Sequence, residues 1–102
     1  MVIEWLKFRV SPEVREKFVQ KDEQIWTKFL SQYPGFLSKE VWISPKVSDE
    51  VIVVIRWQSL EKWKSIPEEL SIQVEVKFAQ AMGEDQYEMI ENLKYQVRKF
   101  PV

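Results

Sequence analysis

The 102-residue chain is 45% hydrophobic and 30% charged, which suits one globular domain, and we expect a single domain over residues 1–102. Its 15 basic and 16 acidic residues are interleaved and leave a formal net charge of -1, so we expect no nucleic-acid-binding and no membrane-binding face. The chain has no cysteine and no histidine, which excludes thiolate nucleophiles, histidine general bases and histidine-bound zinc, iron or haem; we expect no metal and no cofactor.

The first predicted element is a β-strand over Val2–Val10, where side chains alternate between two faces. The chain begins in this strand without the features of a signal peptide, and no apolar run is long enough to span a membrane. Together with the absence of cysteine, this pattern predicts a soluble protein of the cytoplasm.

A long helix is predicted next, with Ser11 as its N-cap, Pro12 as its first residue and an end near Gln32. At about 100° per residue, one broad apolar stripe runs along it. The stripe consists of Val14, Phe18, Ile25, Trp26, Phe29, Leu30 and Tyr33. Asp22 falls inside this stripe. Because an isolated buried charge is very costly, its carboxylate must be paired, hydrogen-bonded or facing a cavity.

Two strands follow and are predicted to form a hairpin. The first begins after the helix stop Tyr33-Pro34-Gly35 and covers Phe36–Ser44, where mixed polarity indicates an edge strand. The second covers Val51–Trp57 and is apolar on both faces except at Arg56. A strand that is apolar on both faces belongs in the middle of a sheet.

Two helices are predicted before the last strand. Ser59 caps a short one that ends near Ser65 and carries Trp63. The segment Pro67–Met82 contains an alternating stretch that would also fit a strand. Its length, its N-terminal proline and the Gly83 that follows it favour a helix.

The last strand is predicted over Tyr87–Val97, with Met89, Leu93 and Tyr95 on one face, and Arg98–Val102 form a tail. The order of elements is therefore βαββααβ. It fits an α+β, ferredoxin-like sandwich, a four-stranded antiparallel sheet with the first and third strands central and both long helices on one face.

The helices of this fold cover one face of the sheet only, and the other face is expected to be apolar. It would carry Ile3 and Trp5 with one of two sets from the third strand, either Ile52 and Val54 or Val51, Val53 and Ile55. An exposed apolar face is typical of an interaction surface. We therefore expect a homodimer in which two sheets pack face to face and form an α/β barrel.

Several motifs of the chain resemble one known family. They are Tyr33-Pro34-Gly35-Phe36, Lys39-Glu40-Val41-Trp42, Ile55-Arg56-Trp57-Gln58-Ser59 and Glu61-Lys62-Trp63-Lys64. Together they are similar to the dimeric α/β-barrel proteins of the antibiotic biosynthesis monooxygenase (ABM) type, and most to a small, largely cyanobacterial branch of them. The resemblance covers nearly the whole chain and implies that Pro67–Met82 is a helix.

The resemblance also implies a pocket between the sheet and the helices. Members that oxidise aromatic polyketides without a cofactor let substrate and oxygen react in an apolar pocket lined by tryptophan, asparagine and often histidine. Members that degrade haem use an asparagine, a tryptophan and an iron-binding histidine. Trp63 lies near the position of the tryptophan, but Trp5, Leu6 and Lys7 stand where the first strand would carry the asparagine. With no histidine either, haem degradation by that mechanism is not expected.

Two charged residues are candidates for the site, each with a structural alternative. Asp22 is either a catalytic base that takes a proton from a phenol, or a structural carboxylate that pairs with Arg15 or lies at the dimer rim. Arg56 either clamps a ligand carboxylate or forms an ion pair with Glu40 or Glu91.

Four aromatic residues complete the predicted pocket. Trp57 and Trp63 either stack against a ligand or anchor the core, since large aromatic side chains dominate burial energetics. Trp26 and Tyr95 are the other two candidates for contact with a ligand, and a place in the core is the alternative for both.

Two functions stay open at this point. The first is an oxygenase or isomerase that needs no metal and acts on a small planar aromatic compound, with Trp26 and Trp63 as stacking residues and Asp22 as base. The second is a non-catalytic homodimer that binds a small hydrophobic molecule or a protein partner. It predicts a tightly packed or purely apolar pocket, with Asp22 and Arg56 both held in structural pairs.

Overall fold

The computed structural model describes residues 1–100, so the last two residues of the predicted tail lie outside the described part. The strands are β1 (Val2–Val10), β2 (Phe36–Ile43), β3 (Glu50–Trp57) and β4 (Tyr87–Gln96). They form one antiparallel sheet in the order β2-β3-β1-β4. β1 and β3 are therefore the central neighbours and β2 is an edge strand, which confirms the predicted ferredoxin-like topology.

The helical segments lie against one face of this sheet. They are the 3₁₀ turn Pro12–Val14, α1 (Arg15–Asp22), the π-helical turn Glu23–Thr27, α2 (Lys28–Leu30), α3 (Leu60–Lys64), α4 (Glu68–Met82) and the 3₁₀ turn Glu84–Gln86. The helix predicted over Pro67–Met82 is confirmed by α4. Within residues 1–100, no helix combines the length and the apolar character that crossing a membrane requires.

The ends of the helices follow the predicted chemistry in most places. Pro12 stands in the first helical turn as expected, but the side chain of Ser11 makes no capping hydrogen bond. The hydroxyl of Ser59 accepts a hydrogen bond from the backbone N–H of Lys62 at 3.1 Å and caps α3. α4 ends at Gly83, whose φ of 94° lies in the left-handed region that favours glycine.

The first helix is continuous from Pro12 to Leu30 but is not a regular α-helix. Its π-helical turn has more residues per turn than the α-helical segments on either side. On a regular α-helix, Phe18 and Leu30 would point about 120° apart. Here Phe18, Asp22 and Leu30 are only 1%, 5% and 6% exposed, and the turn keeps all three on the buried side.

The core fills the space between the helices and the sheet. Phe8, Phe18, Phe78 and Tyr87 pack together with ring centroids 5.1 to 5.9 Å apart. The other buried members of this core are Leu6, Val10, Leu30, Val51, Val53, Ile55, Trp57 and Met82. These contacts fix α1 and α4 to the central strands β1 and β3.

The turn between the first helix and β2 holds α3 in place. Gly35 has a φ of 98°, and its carbonyl accepts a hydrogen bond from the backbone N–H of Gln58 at 2.7 Å. A Cβ at Gly35 would lie 2.6 Å from the Cβ of Lys62 on α3. The predicted stop Tyr33-Pro34-Gly35 thus ends the helix and also lets α3 approach the start of β2.

A β-bulge in β2 changes the direction of one aromatic side chain. The register shifts between Phe36 and Ser38, so Leu37 is the extra residue. Phe36 therefore turns toward the helices, where its ring lies 5.7 Å from that of Trp57. Strict alternation predicts Phe36 on the same face as Ser38, and that prediction is wrong because of the bulge.

A second bulge separates two parts of β4. The partner of Lys7 is Glu91 and the partner of Phe8 is Met89, so Ile90 is the extra residue. Met89 therefore faces the helices, whereas Glu91, Leu93 and Tyr95 face the other side of the sheet. The prediction that Met89 and Leu93 share a face is wrong, since an alternating pattern does not reveal an inserted residue.

The face of the sheet that points away from the helices is referred to below as the outer face. Paired positions on it are Ile3, Trp5, Lys7, Arg9, Ser38, Glu40, Trp42, Glu50, Ile52, Val54, Arg56, Glu88, Glu91, Leu93 and Tyr95. Of the two sets predicted for β3, the one with Ile52 and Val54 lies here. Trp42 is 45% exposed and Tyr95 is 55% exposed, so the outer face presents aromatic surface to solvent.

Candidate functional site

A cavity of about 760 Å³ lies between the sheet and the helices. Its volume falls in the range of small-molecule pockets. β1 and β3 contribute its floor, and the first helix, α3 and α4 contribute its walls. Its apolar lining includes Leu6, Phe8, Trp26, Leu30, Val53, Ile55, Trp63, Ile66, Ile72 and Met89. A cavity is thus present where the family resemblance implied a pocket.

The tryptophans predicted for the pocket take different places. Trp26 of the π-helical turn and Trp63 of α3 both line the cavity. Trp57 has no exposed surface and packs edge-on against Phe36, with the ring centroids 5.7 Å apart. It is a core anchor, and its indole N–H donates a hydrogen bond at 3.4 Å to Glu4 in the cavity.

Asp22 and Lys39 form a buried ion pair at the cavity wall. The Oδ2 of Asp22 lies 2.7 Å from the Nζ of Lys39, with side chains 7% and 3% exposed. Within residues 1–100 Oδ2 has no well-aligned hydrogen-bond donor, and the 2.7 Å contact with the ammonium group is a close ion pair. Lys39 also donates a hydrogen bond to the Oγ1 of Thr27 at 3.0 Å. Arg15, the partner predicted for Asp22, instead donates to the carbonyl of Ser48, so that pairing is wrong.

Burial shifts the pKa of both members of this pair. It raises the pKa of the Asp22 carboxyl and lowers the pKa of the Lys39 ammonium. In each case the attraction between the two charges opposes the shift without cancelling it. Burial therefore makes both charged forms costly here, and their mutual attraction offsets part of that cost.

Glu4 is a second carboxyl group in the cavity and was not among the sequence candidates. It stands on the helix-covered face of β1, the face that also carries Leu6 and Phe8. Burial raises the pKa of Glu4, while the hydrogen bond from Trp57 and the charge of Lys39 oppose that rise. The sequence did carry a signal, because a carboxylate on the apolar side of a central strand needs an explanation.

Glu75 of α4 is the third carboxyl group. Its Oε1 accepts a hydrogen bond from the hydroxyl of Tyr87 at 3.4 Å, and its Oε2 is buried without a hydrogen-bond partner within residues 1–100. Burial raises the pKa of Glu75, and burial together with the neighbouring carboxylate raises the pKa of Tyr87 to about 12. No sequence signal marks Glu75, which stands on a helix among alternating polar and apolar residues.

On the solvent side, two lysines border the cavity beside a tryptophan. The Nζ atoms of Lys64 and Lys94 lie 4.8 Å and 5.4 Å from the ring centroid of Trp63. Both lysines are exposed, and Lys64 lines the cavity. We refer to Lys64, Lys94 and Trp63 together as the lysine rim. Asn92 of β4 also lines the cavity, so an asparagine is present although β1 carries none.

Arg56 and Tyr95 lie on the outer face, and their predicted place in the pocket is wrong. Arg56 forms an ion pair with Glu40, one of its two predicted partners, and these side chains are 28% and 46% exposed. Glu40 also accepts a hydrogen bond from the indole N–H of Trp42 at 3.1 Å. Tyr95 stands opposite Ile3. The error follows from alternation, since the residues next to these two in sequence are the ones that face the helices.

The cavity combines aromatic walls with charged groups that can move a proton. A carboxyl group whose pKa is raised accepts a proton from a weak acid more readily. Its interior holds the carboxyl groups of Glu4, Asp22 and Glu75 and the ammonium group of Lys39, and a fourth carboxyl group, that of the exposed Glu68, also lines the cavity. An ammonium group that is already in place can stabilise the anion that forms. Within residues 1–100, no three acidic side chains are grouped as metal ligands would be.

Solved structures share this fold over nearly their whole length. SnoaB, a cofactor-independent oxygenase from Streptomyces nogalater, is 15% identical with a TM-score of 0.72, over 97% of this chain and 94% of that one. A candidate antibiotic biosynthesis monooxygenase from Deinococcus radiodurans is 14% identical with a TM-score of 0.73, over 100% and 97%. Another, from Chloroflexus aurantiacus, is 22% identical with a TM-score of 0.66, over 98% and 96%. At these identities the likeness shows the fold.

The sequence itself matches a family profile. No match was found among curated proteins. The profile described as antibiotic biosynthesis monooxygenase matches residues 1–66, which include Glu4, Asp22, Lys39 and Trp63 of the cavity. The cyanobacterial branch stays a prediction. The match covers well over half of the sequence, and the chain belongs to the antibiotic biosynthesis monooxygenase family.

Proposed function

We propose that the protein is a cofactor-independent monooxygenase that acts on a small, planar, electron-rich aromatic compound. The observation that carries the proposal is the buried Asp22–Lys39 ion pair in the wall of a cavity that also presents Trp26 and Trp63. Membership of the family supports it, as does the fold shared with a cofactor-independent oxygenase.

The tryptophans account for binding of the substrate. Trp26 and Trp63 stand on separate helices around one cavity, where their indole faces can stack against a flat ring system. The floor beneath them is apolar apart from Glu4, and its side chains Leu6, Phe8, Val53 and Ile55 keep water away from a bound ring. A volume of about 760 Å³ accommodates a compound of two or three fused rings.

The ion pair accounts for removal of a proton. A phenol or an activated methylene group of the substrate gives its proton to Asp22, whose pKa is raised by burial. Asp22 becomes neutral in that step, and the negative charge moves to the substrate. Lys39 then faces the substrate anion in place of the Asp22 carboxylate, so its buried positive charge keeps a counter-ion throughout.

Molecular oxygen is the oxidant, and the substrate supplies the electrons. The substrate carbanion reacts with oxygen to form a carbon–oxygen bond and, after protonation, a hydroperoxide. Loss of water from the hydroperoxide converts the original methylene carbon into a carbonyl group. One oxygen atom stays in the product and the other leaves as water, so a methylene compound and one oxygen molecule give a ketone or quinone and one water.

An oxygen-uptake assay tests this proposal. The probes are anthrones that carry phenolic hydroxyl groups, and each is assayed with and without a metal chelator. We expect uptake that survives the chelator and falls about a hundredfold or more in Asp22→Asn, the range of general-base catalysis. Glu69→Gln, an exposed carboxylate of α4 outside the cavity, is the matched control and should keep full activity.

The non-catalytic alternative predicts a different result in the same assay. The cavity is neither tightly packed nor purely apolar, which favours the oxygenase, but Asp22 does have a structural partner in Lys39. If the probes bind and no oxygen is consumed beyond the rate without protein, the binding module is the correct function and the oxygenase proposal fails.

We propose in addition that the protein is a homodimer formed through the outer face. Trp42, Leu93 and Tyr95 are 45%, 38% and 55% exposed on this face, and Trp5 lies between them. Exposed apolar surface on a sheet is typical of an interaction site. A second copy that packs sheet against sheet would cover this surface and leave the helices and the cavity on the outside of the barrel.

A further inference from the structure

The lysine rim brings two positive charges together without a negative partner. Lys64 comes from α3 and Lys94 from β4, and both ammonium groups lie over the same indole ring. Within residues 1–100, neither lysine has a carboxylate oxygen within ion-pair distance. The proximity of Lys64 lowers the pKa of Lys94, as expected for like charges in contact. An anion placed between them would remove this repulsion.

Glu4, the acidic group that interacts with both rim lysines, is already engaged elsewhere. Glu4 is the residue opposite Lys94 in the pairing of β1 with β4, and it interacts electrostatically with both rim lysines. Its carboxylate, however, accepts the hydrogen bond from Trp57 and is buried at the floor of the cavity. The rim lysines are exposed to solvent, and within residues 1–100 neither forms an ion pair.

The charges of the cavity are unevenly distributed. The two rim lysines lie together at exposed positions, whereas the interior holds the carboxyl groups of Glu4, Asp22 and Glu75 with the ammonium group of Lys39. The exposed Glu68 also lines the cavity, but it forms no ion pair with either rim lysine. A negative substituent on a ligand would be repelled by ionised carboxylates inside and attracted by the rim. The charge distribution therefore favours a ligand with a negative substituent, and it favours an orientation in which that substituent stays at the rim.

We propose that the lysine rim binds the carboxylate of an aromatic acid, with the ring against Trp63 and the phenolic end directed toward Asp22. Lys64 and Lys94 each supply an ammonium group, and two donors from different elements can hold the two oxygens of one carboxylate. This assignment rests on the proposed function for the position of the ring, and it narrows the substrate to a hydroxyaromatic carboxylic acid.

A matched pair of ligands tests the assignment without any need for turnover. The probes are a hydroxynaphthoic acid and its methyl ester, which differ in the negative charge and one methyl group, and binding is measured by calorimetry at low salt. We expect the acid to bind the wild type about tenfold more tightly than the ester, since each exposed charge contact contributes a few-fold. Added salt should reduce that preference because exposed charges are screened.

Variants of the rim then locate the effect. Lys64→Gln and Lys94→Gln should each lower the affinity for the acid about threefold, and the double variant should bind the acid and the ester equally. Lys46→Gln, an exposed lysine in the turn between β2 and β3, is the control and should leave the preference unchanged. Unchanged affinity for the ester in every variant shows that the cavity stays folded.

Two results would overturn the assignment. One is equal affinity of the wild type for acid and ester, and the other is a preference for the acid that survives the double variant. Oxygen uptake separates this failure from failure of the proposed function. Uptake with neutral phenols but no preference for acids refutes the rim alone, whereas lysine-dependent binding of the acid without any uptake refutes the oxygenase alone.

Discussion

Both faces of the sheet carry ion pairs, and one pair from each face shows how different their surroundings are. On the helix-covered face, Asp22 and Lys39 have side chains 7% and 3% exposed. On the outer face, Glu40 and Arg56 have side chains 46% and 28% exposed. Solvent screens the outer pair, whereas the inner pair has lost most of its hydration.

This difference in burial changes the pKa of the carboxylate in each ion pair. Burial raises the pKa of Asp22, but hydrogen bonds from Trp42 and Arg56 lower the pKa of Glu40. A carboxylate with a lowered pKa, such as that of Glu40, stays ionised more readily and is a weaker base. Asp22, with its raised pKa, is the stronger base of the two carboxylates, and unlike Glu40 it lines the cavity.

Removal of one charge from each pair should give the largest contrast. We expect Asp22→Asn to lower the free energy of unfolding by about 3 kcal/mol, because it leaves a buried ammonium group without its counter-ion. Glu40→Gln, compared with its parent in the Leu93→Arg background that is expected to be monomeric, should leave the denaturation midpoint nearly unchanged, since solvent replaces its contacts there. Urea denaturation of the two variants measures both effects, and equal losses would remove the distinction between the faces.

Removal of both inner charges tests whether the pair is kept for stability. Replacement of a buried ion pair by apolar residues is often neutral or stabilising. We therefore expect the double variant Asp22→Leu with Lys39→Met to be at least as stable as the wild type in urea denaturation and to have no oxygen uptake. A double variant several kcal/mol less stable than the wild type would show that the pair is there for folding.

A charge on the outer face should change the state of assembly and not the cavity. Leu93 is 38% exposed and lies opposite Trp5 in the sheet, so Leu93→Arg would place a charge at the centre of the proposed dimer interface. We expect the wild type to sediment as a dimer at micromolar concentration and the variant as a 12.3 kDa monomer. A monomeric wild type would refute the dimer, and Leu37→Arg, on the bulge of β2, is the control.

A smaller effect is expected from Glu75 and depends on pH. Burial raises the pKa of Glu75, so the folded state binds more protons than the unfolded state above about pH 4.5, the ordinary value for glutamate. The stability that this proton contributes is present at low pH and is lost as pH rises through the folded pKa. Glu75→Gln should therefore weaken the fall in stability between about pH 4.5 and neutral pH, which denaturation at the two values measures. The same dependence of stability on pH in Glu75→Gln and in the wild type would contradict the raised pKa of Glu75.

The smallest effect is expected at Arg56, which the sequence marked as the exception in an apolar strand. Because Arg56 is paired with Glu40 on the outer face, Arg56→Gln should leave binding of aromatic probes to the cavity unchanged. A loss of probe affinity in this variant, measured by calorimetry, would place the ligand on the outer face and not in the cavity.

The architecture could be predicted because it follows from local patterns. The apolar run Val51–Trp57 indicated a central strand, and the position of Pro67 and Gly83 around an amphipathic stretch indicated α4. The bulges at Leu37 and Ile90 could not be predicted, because alternation continues on both sides of an inserted residue. They decide which side chains of the edge strands face the helices.

The site could be predicted only in part, for a similar reason. Asp22 was conspicuous as a charge on an apolar stripe, and Trp63 through the resemblance. The partner of Asp22 comes from another element, 17 positions away at Lys39, and only the packing of the first helix on β2 brings them together. Arg56 was assigned to the wrong face, since a buried central strand gives no indication of which side its one charge takes.

The central claim is that the helix-covered cavity, and not the outer face, is the ligand site. The most direct test is a titration of a hydroxyaromatic probe against the wild type and two variants. Trp63→Phe removes a tryptophan from the cavity, and Trp42→Phe removes one from the outer face. We expect the probe to quench tryptophan fluorescence, with weaker binding in Trp63→Phe and unchanged affinity in Trp42→Phe. Weaker binding in Trp42→Phe and unchanged affinity in Trp63→Phe would contradict the account.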